Sequence, residues 1–145
     1  MIYSNKTLRT QVIAMNLDII KNKLIDKASA FIVILFGSAA SGRMRNDSDI
    51  DIAFLSDGNL SEYEVFNIAQ ELSNELGRDV DLIDMSKAST VFKANILGTG
   101  KIIYSADENK KHEFQIRTFK EYCMLNEERK GILDKVRERG TIYAE

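Results

Sequence analysis

A small mixed β-sheet with helices packed mainly on one face, an α/β (α+β) architecture, follows from three observations on this 145-residue sequence. Short β-branched runs, FIVILF (31–36) and DIDIAFL (49–55), read as strands. Longer segments around them place apolar residues at helical spacing. The elements alternate in the order α-β-turn-β-α-β-α-β-α, which one compact sheet-and-helix layer arrangement satisfies.

Taken in order, residues from Leu8 to Ala28 predict an amphipathic helix, because Leu8, Val12, Met15, Ile19 and Leu24 recur every three to five positions. FIVILF is wholly apolar, as a strand covered on both faces should be. Residues 37–48, rich in Gly, Ser, Asn and Asp, form a turn with room for one helical turn. DIDIAFL alternates as a strand does, and Ser56-Asp57-Gly58-Asn59 is a turn. SEYEVFNIAQELSNELG (61–77) predicts a helix with Ser61 and Glu64 as a capping box and Gly77 as its C-terminal stop. DVDLIDM (79–85) predicts a third strand, Thr90 to Leu97 a short helix, and KIIYS (101–105) an edge strand. Asp107 to Arg139 is helical, with Phe114, Phe119, Tyr122, Cys123, Ile132, Leu133 and Val136 as candidate buried positions and Gly131 as a break.

The totals bound the class. Hydrophobic content of 44% and charged content of 29% belong to a globular protein with a real core, most simply one domain over 1–145. Within it, 1–30 is an N-terminal helix, 31–105 a catalytic core and 106–145 a C-terminal helical segment. Twenty Lys+Arg against 22 Asp+Glu give a formal charge of −2, which argues against direct nucleic-acid binding. Residues 110–139 hold nine basic against six acidic side chains, a mildly basic, solvated face. The single cysteine, Cys123, has no internal partner. MIYSNKTLRTQVIAMNLDII lacks a continuous apolar stretch for secretion, and no apolar run approaches the ~20 residues of a membrane span. A cytoplasmic location and no membrane association are expected.

LFGSAASGRMRNDSDIDIAFL (35–55) carries the chemistry. Side chains alternate along a strand, so Asp49 and Asp51 point one way while Ile50 and Ile52 point the other. Two adjacent carboxylates repel, and burying them uncompensated costs several kcal/mol. Mg²⁺ resolves both problems, since it binds through one or two carboxylates and substrate phosphates. With two ions roughly 3.5–4 Å apart, such a pair can clamp the attacking and leaving oxygens of a phosphoryl-type displacement. Gly37-Ser38 follows the first strand directly, so its backbone N–H groups and hydroxyl are placed for a phosphate. Gly37 and Gly42 have P-loop spacing, but Arg43-Met44 stands where Lys-Ser/Thr is required, and that motif is rejected.

Gly37-Ser38, ten residues, then Asp49-x-Asp51 resembles the signature of the DNA polymerase β-like nucleotidyltransferase superfamily. The segment is most similar to the minimal nucleotidyltransferase (MNT) domains, whose Gly-Ser-x-Ala-x-Gly-x-x-Arg-x-x-Ser-Asp-Ile-Asp pattern is met at Ala40, Gly42, Arg45, Ser48, Asp49, Ile50 and Asp51. Ser41 stands where many members have arginine, and Asn46 where many have proline; Arg43 lies near enough to replace the missing cation. The resemblance extends to GRDVDLIDM and GTGKIIYS, hence over most of the chain. It implies the polymerase β-like fold, two Mg²⁺ ions on Asp49 and Asp51, and ATP phosphates on Gly37 and Ser38, with Arg43, Arg45 and Ser48 as further contacts.

A third acid completes such sites. DVDLIDM offers Asp79 and Asp81 on one strand face and Asp84 on the other or off the strand end. The family's Val-Asp-Leu-Val pattern selects Asp81, as metal ligand and as base or orienter for the nucleophile, with Asp79 as the fallback. His112 is the only histidine, so zinc is not expected.

The acceptor follows from resemblance alone. Template-reading members and aminoglycoside nucleotidyltransferases generally carry further domains, whereas chains of this size resemble the MNT antitoxins paired with HEPN-type ribonuclease toxins. That likeness implies a protein adenylyltransferase that transfers AMP from ATP to a tyrosine of its toxin and so silences it. The alternatives are a small-molecule nucleotidyltransferase and a non-catalytic binding antitoxin; the presence of all three candidate acids speaks against the last.

Overall fold

A computed structural model describes residues 16–41 and 48–139. Helix α1 occupies 16–28; the Leu8–Met15 part of the expected first helix lies outside the described residues. Strand β1 (Ala30–Phe36), a one-turn helix α2 (Ser38–Ser41) and β2 (Ile50–Ser56) follow. Then come α3 (Glu62–Leu76), β3 (Val80–Asp84), a 3₁₀ turn (Met85–Lys87), α4 (Thr90–Thr99), β4 (Lys101–Ser105) and α5 (Glu108–Arg139).

The four strands form one sheet in the order β3-β2-β1-β4. β1 is antiparallel to both β2 and β4, while β2 and β3 run parallel, joined through α3. The sheet is therefore mixed, as expected. Its helices cover both faces rather than mainly one. Val33, Leu35, Ile50, Ile52 and Phe54 pack with Ile20, Leu24 and Ala28 of α1 and Ile68 and Leu72 of α3. On the other face Ile32, Ile34, Ala53 and Leu55 pack with Met85, Ile96 of α4 and Phe114 of α5. The central strands are apolar on both sides, and each side needs its own cover.

Local chemistry explains the element ends. Ser61 Oγ accepts the Glu64 backbone N–H at 3.1 Å and donates to Glu64 Oε1 at 3.3 Å, and Gly77 closes α3 in the left-handed region at φ 66°. Lys23 of α1 reaches Glu75 of α3 at 2.7 Å, and this bond raises the lysine's pKa. At the α4–β4 junction, a Cβ on Gly100 would lie 2.5 Å from Ile96 O and 2.6 Å from Ile34 Cγ2, so only glycine lets the chain lie this close to β1.

The last helix departs from expectation. α5 runs unbroken through Gly131, because a solvated helix tolerates one glycine at a cost of about 1 kcal/mol. Of its expected core positions only Phe114 is buried; Phe119, Cys123, Ile132 and Leu133 are exposed, and Thr118 is buried instead. Among the described residues the helix meets α4 as far as Tyr122, and the exposed Ile132 and Leu133 lie beyond that contact. Among the described residues, no helix is long and apolar enough to cross a membrane.

Candidate active site

Three strands bring the site together in one row. Phe36 at the end of β1 is the register partner of Asp51 on β2, and Asp51 is in turn the register partner of Asp81 on β3. Ile50 and Ile52 are buried toward α1 and α3. By alternation Asp51 projects from the opposite face, the one on which Ala53 and Leu55 pack. Asp81 shares that face with Ile83. Adjacent strands lie about 4.8 Å apart, so the two carboxyls are immediate neighbours. Asp49, just before β2, and Asp81 are exposed, while Asp51 is half-buried.

The electrostatics follow from this row. Burial, first, and then the negative charges of Asp81 and Asp49 raise the Asp51 pKa above the ordinary carboxylate range. Neighbouring carboxyls of this kind resist carrying charge together, and one proton held between them relieves the repulsion. Such a pair is a place where a cation can take over the proton's role.

Gly37 sits against this pair. Its φ is +65°, and a Cβ there would lie 2.2 Å from Asp51 Oδ2. Only a glycine leaves the carboxylate its position and the turn its backbone. Ser38 opens α2 directly after it. Ser48 is half-buried just ahead of Asp49. The base of the site is tied across the sheet by the Ile50 N–H, which donates to Asp79 O at 2.9 Å.

The alternative acids are sorted by position. Asp79 lies one residue before β3 and is exposed, engaged through its backbone. Asp84 Oδ1 accepts from Ser86 N at 3.0 Å and Ser86 Oγ at 2.7 Å, so it caps the 3₁₀ turn. Arg43 and Arg45, with Gly42, Asn46 and Asp47, lie outside the described residues. His112 is a surface residue 3.9 Å from Glu108, and Cys123 is an exposed free thiol.

Among the described residues, no three His, Cys, Asp or Glu side chains are grouped as a complete metal cage. The donor set present, Asp51 beside Asp81 with Asp49 acting on the same carboxyl and next to the Gly37 turn, fits Mg²⁺, which retains waters and takes its other oxygens from substrate phosphates.

One feature was not visible in the sequence. Phe92 of α4 lies edge-on to Phe36, with ring centroids 6.0 Å apart and planes at 89°. α4 has no marked amphipathic pattern, so nothing in its residues shows which side chain meets Phe36.

A four-stranded mixed sheet with a Gly-Ser turn facing acids on two parallel strands defines a nucleotidyltransferase. The family description "Polymerase beta, Nucleotidyltransferase" matches residues 18–109, and the chain belongs to this family. It is similar to the protein adenylyltransferase MntA of Shewanella oneidensis, with 35% identity over 105 residues, 72% of this chain and 75% of the relative. Among solved structures it resembles a toxin–antitoxin chain determined with AMP-PNP, at 33% identity and a TM-score of 0.75 over 84% of this chain and 98% of that one. It also resembles a chain from the tri-AMPylated Shewanella oneidensis HEPN toxin in complex with MNT antitoxin, at 31% identity and a TM-score of 0.71 over 86% and 98%.

Proposed function

We propose that this chain is a protein adenylyltransferase antitoxin that transfers AMP from ATP to a tyrosine of a HEPN ribonuclease toxin, in the cytoplasm. The observation that carries the reading is the pairing of Asp51 with Asp81 beside Gly37. The similarity to MntA and to complexes of HEPN toxin with MNT antitoxin supports the acceptor.

The chemistry is a substitution at the α-phosphorus of ATP. The tyrosine oxygen forms a bond to phosphorus, the α–β anhydride bond breaks, and pyrophosphate departs. Asp49, Asp51 and Asp81 would hold Mg²⁺, two ions in the full site, which neutralises the developing charge on the phosphoryl oxygens. Gly37 and Ser38 receive the β- and γ-phosphates, with backbone N–H groups that need no side-chain rearrangement. Ser48 holds the approach to Asp49, and Arg43 and Arg45 add positive charge near the phosphates. Asp81, exposed and at the β3 side of the row, accepts the phenolic proton or orients the hydroxyl.

The reading is tested by incubating the chain with Mg²⁺, α-labelled ATP and the product of the adjacent gene, and following intact mass. A gain of one or more AMP groups on the partner, absent with an Asp49→Ala/Asp51→Ala variant, is expected. A stable inhibitory complex without transfer would instead establish a binding antitoxin.

A further inference from the structure

Asp51 stands between two strands whose side chains share its face. On one side is Asp81, its register partner on β3; on the other is Phe36, its register partner at the end of β1. Directly opposed residues of an antiparallel pair have Cβ atoms about 4.5–5.5 Å apart, so Phe36 is the immediate neighbour of Asp51 on the β1 side. The half-buried Phe36 packs against the cluster of Ile32, Ile34 and Ala53, on the face from which Asp51 projects.

The Phe36 ring is itself held. Phe92 meets it edge-on, with centroids 6.0 Å apart. Phe92 lies in the first turn of α4, where Ser89 Oγ accepts its N–H at 3.2 Å. The far end of α4 is seated on β1 by the buried Ile96 and by Gly100, where a Cβ would lie 2.6 Å from Ile34 Cγ2. A line of packed neighbours therefore runs from the seat of α4 through Phe92 and Phe36 to Asp51. A carboxylate that must meet a cation gains from a neighbour that limits its rotamers beforehand. Residues that orient a metal ligand in this way commonly change affinity or activity by about 10–100-fold.

We propose that Phe36 is a positioning residue for Asp51: its ring, pinned by Phe92, fills the space beside the Asp51 carboxyl on β1 and leaves it the orientation found here, against the Gly37 turn, where a divalent cation can be met without rearrangement. Gly37 marks that orientation, since Asp51 Oδ2 lies 2.2 Å from where a Cβ would stand. The inference rests on the metal-binding role given to Asp51 above.

The test is the Kd for Mn²⁺–AMP-PNP, followed by electron spin resonance with Mn²⁺ in place of Mg²⁺ on the same oxygen ligands, beside the Kd for AMP-PNP in EDTA. The proteins are the wild-type chain and Phe36→Ala, Phe36→Leu, Phe92→Ala and Phe36→Ala/Phe92→Ala variants, each checked for folding by circular dichroism. Phe36→Ala raises the Mn²⁺–AMP-PNP Kd about tenfold, the low end for a residue that orients a metal ligand. Phe36→Leu keeps apolar bulk beside Asp51 and loses only the ring pairing, so it matches Phe92→Ala at about threefold. The double variant binds no more weakly than Phe36→Ala alone, because Phe92 acts through Phe36. Metal-free AMP-PNP affinity stays within about twofold throughout, as a change away from the phosphates should. An unchanged Mn²⁺–AMP-PNP Kd in the alanine variants would overturn the proposal. So would additive losses in the double variant, or metal-free affinity falling in step. If Phe36→Ala does not fold, an unchanged Kd in Phe92→Ala, a ring 36% exposed, overturns it alone. A wild-type chain that binds no Mn²⁺–AMP-PNP would strike the metal site and this role together. The expected losses without AMP transfer to the product of the adjacent gene would support Phe36 and strike only the protein acceptor.

Discussion

Asp51 and Asp81 are register partners across two parallel strands and lie on the same side of the sheet. Parallel pairing through α3 makes this possible, since it sets the starts of β2 and β3 level with each other at the edge of the sheet. The arrangement concentrates negative charge where the apolar strands end, and burial together with the neighbouring Asp81 and Asp49 holds the Asp51 pKa above the ordinary range. On the proposed function, this costs the empty protein stability that a cation and phosphates would restore.

Removing that strain stabilises the cation-free protein. Asp51 keeps its proton to higher pH in the folded chain than in the unfolded chain. From about pH 3.9 upward the unfolded chain releases this proton first, so the wild type loses stability as pH rises through the window between the ordinary and the raised value. Asp51→Asn therefore raises the Tm at pH 7 by about 2–4 °C, the shift that 1 kcal/mol produces in a chain of this size. The gain vanishes near pH 3.5. Thermal melts of both proteins across pH 3–8 check it, and an equal gain at every pH would show that charge is not the cause.

On the proposed function, cation binding acts on the same pair. Mg²⁺ with AMP-PNP raises the wild-type Tm, by about 2.7 kcal/mol worth of stability at a hundredfold excess over Kd. The shift is lost in Asp49→Ala/Asp51→Ala, and EDTA abolishes both the shift and AMP transfer. A Tm shift of full size with AMP-PNP and EDTA together would place the nucleotide elsewhere.

Much of this was legible in the residues. The strand pattern of FIVILF and DIDIAFL, the capping of α3 by Ser61 and Gly77, and the Gly-Ser spacing to Asp49 and Asp51 all rest on local rules, and the structure keeps each of them. Helix cover on both faces was not expected from the sequence, although the doubly apolar β1 demands it, because nothing local said which helices would go where. The burial pattern of α5 was misjudged because spacing reveals an apolar stripe but not whether a neighbour lies against it. Ile132 and Leu133 are exposed for that reason. Phe92 was invisible for the converse reason: its place over Phe36 depends on how α4 crosses the sheet.

Asp81 and Asp79 can be told apart by activity. Asp81 stands beside Asp51, while Asp79 precedes β3 and is held through its backbone oxygen. Asp81→Asn lowers kcat by about 10²–10⁴, the contribution of a positioned base. Asp79→Asn leaves kcat within about twofold, as a surface change away from the reacting atoms should. The reverse order would move the third carboxylate to Asp79.

Gly37→Ala breaks the site at its narrowest point. The added methyl would sit 2.2 Å from Asp51 Oδ2 and would force φ +65° on an alanine. The backbone strain alone costs about 1–2 kcal/mol, and displacement of Asp51 lowers AMP transfer at least a hundredfold. Circular dichroism with single-turnover transfer separates the two effects; a folded, fully active variant would show that Asp51 is not held against this turn.

Gly100→Ala is the matching change away from the chemistry. Its φ of −81° suits any residue, so the effect is steric alone, from Cβ contacts of 2.5 Å to Ile96 O and 2.6 Å to Ile34 Cγ2. Overpacking of this kind costs about 1–3 kcal/mol. In a chain of this length that lowers the Tm by roughly 2–4 °C for each kcal/mol. The junction joins α4 to β4 and holds no reacting group, so kcat per folded molecule stays within about twofold. A Tm unchanged from the wild type would mean that α4 can lift from β1, and Phe92 with it, without cost.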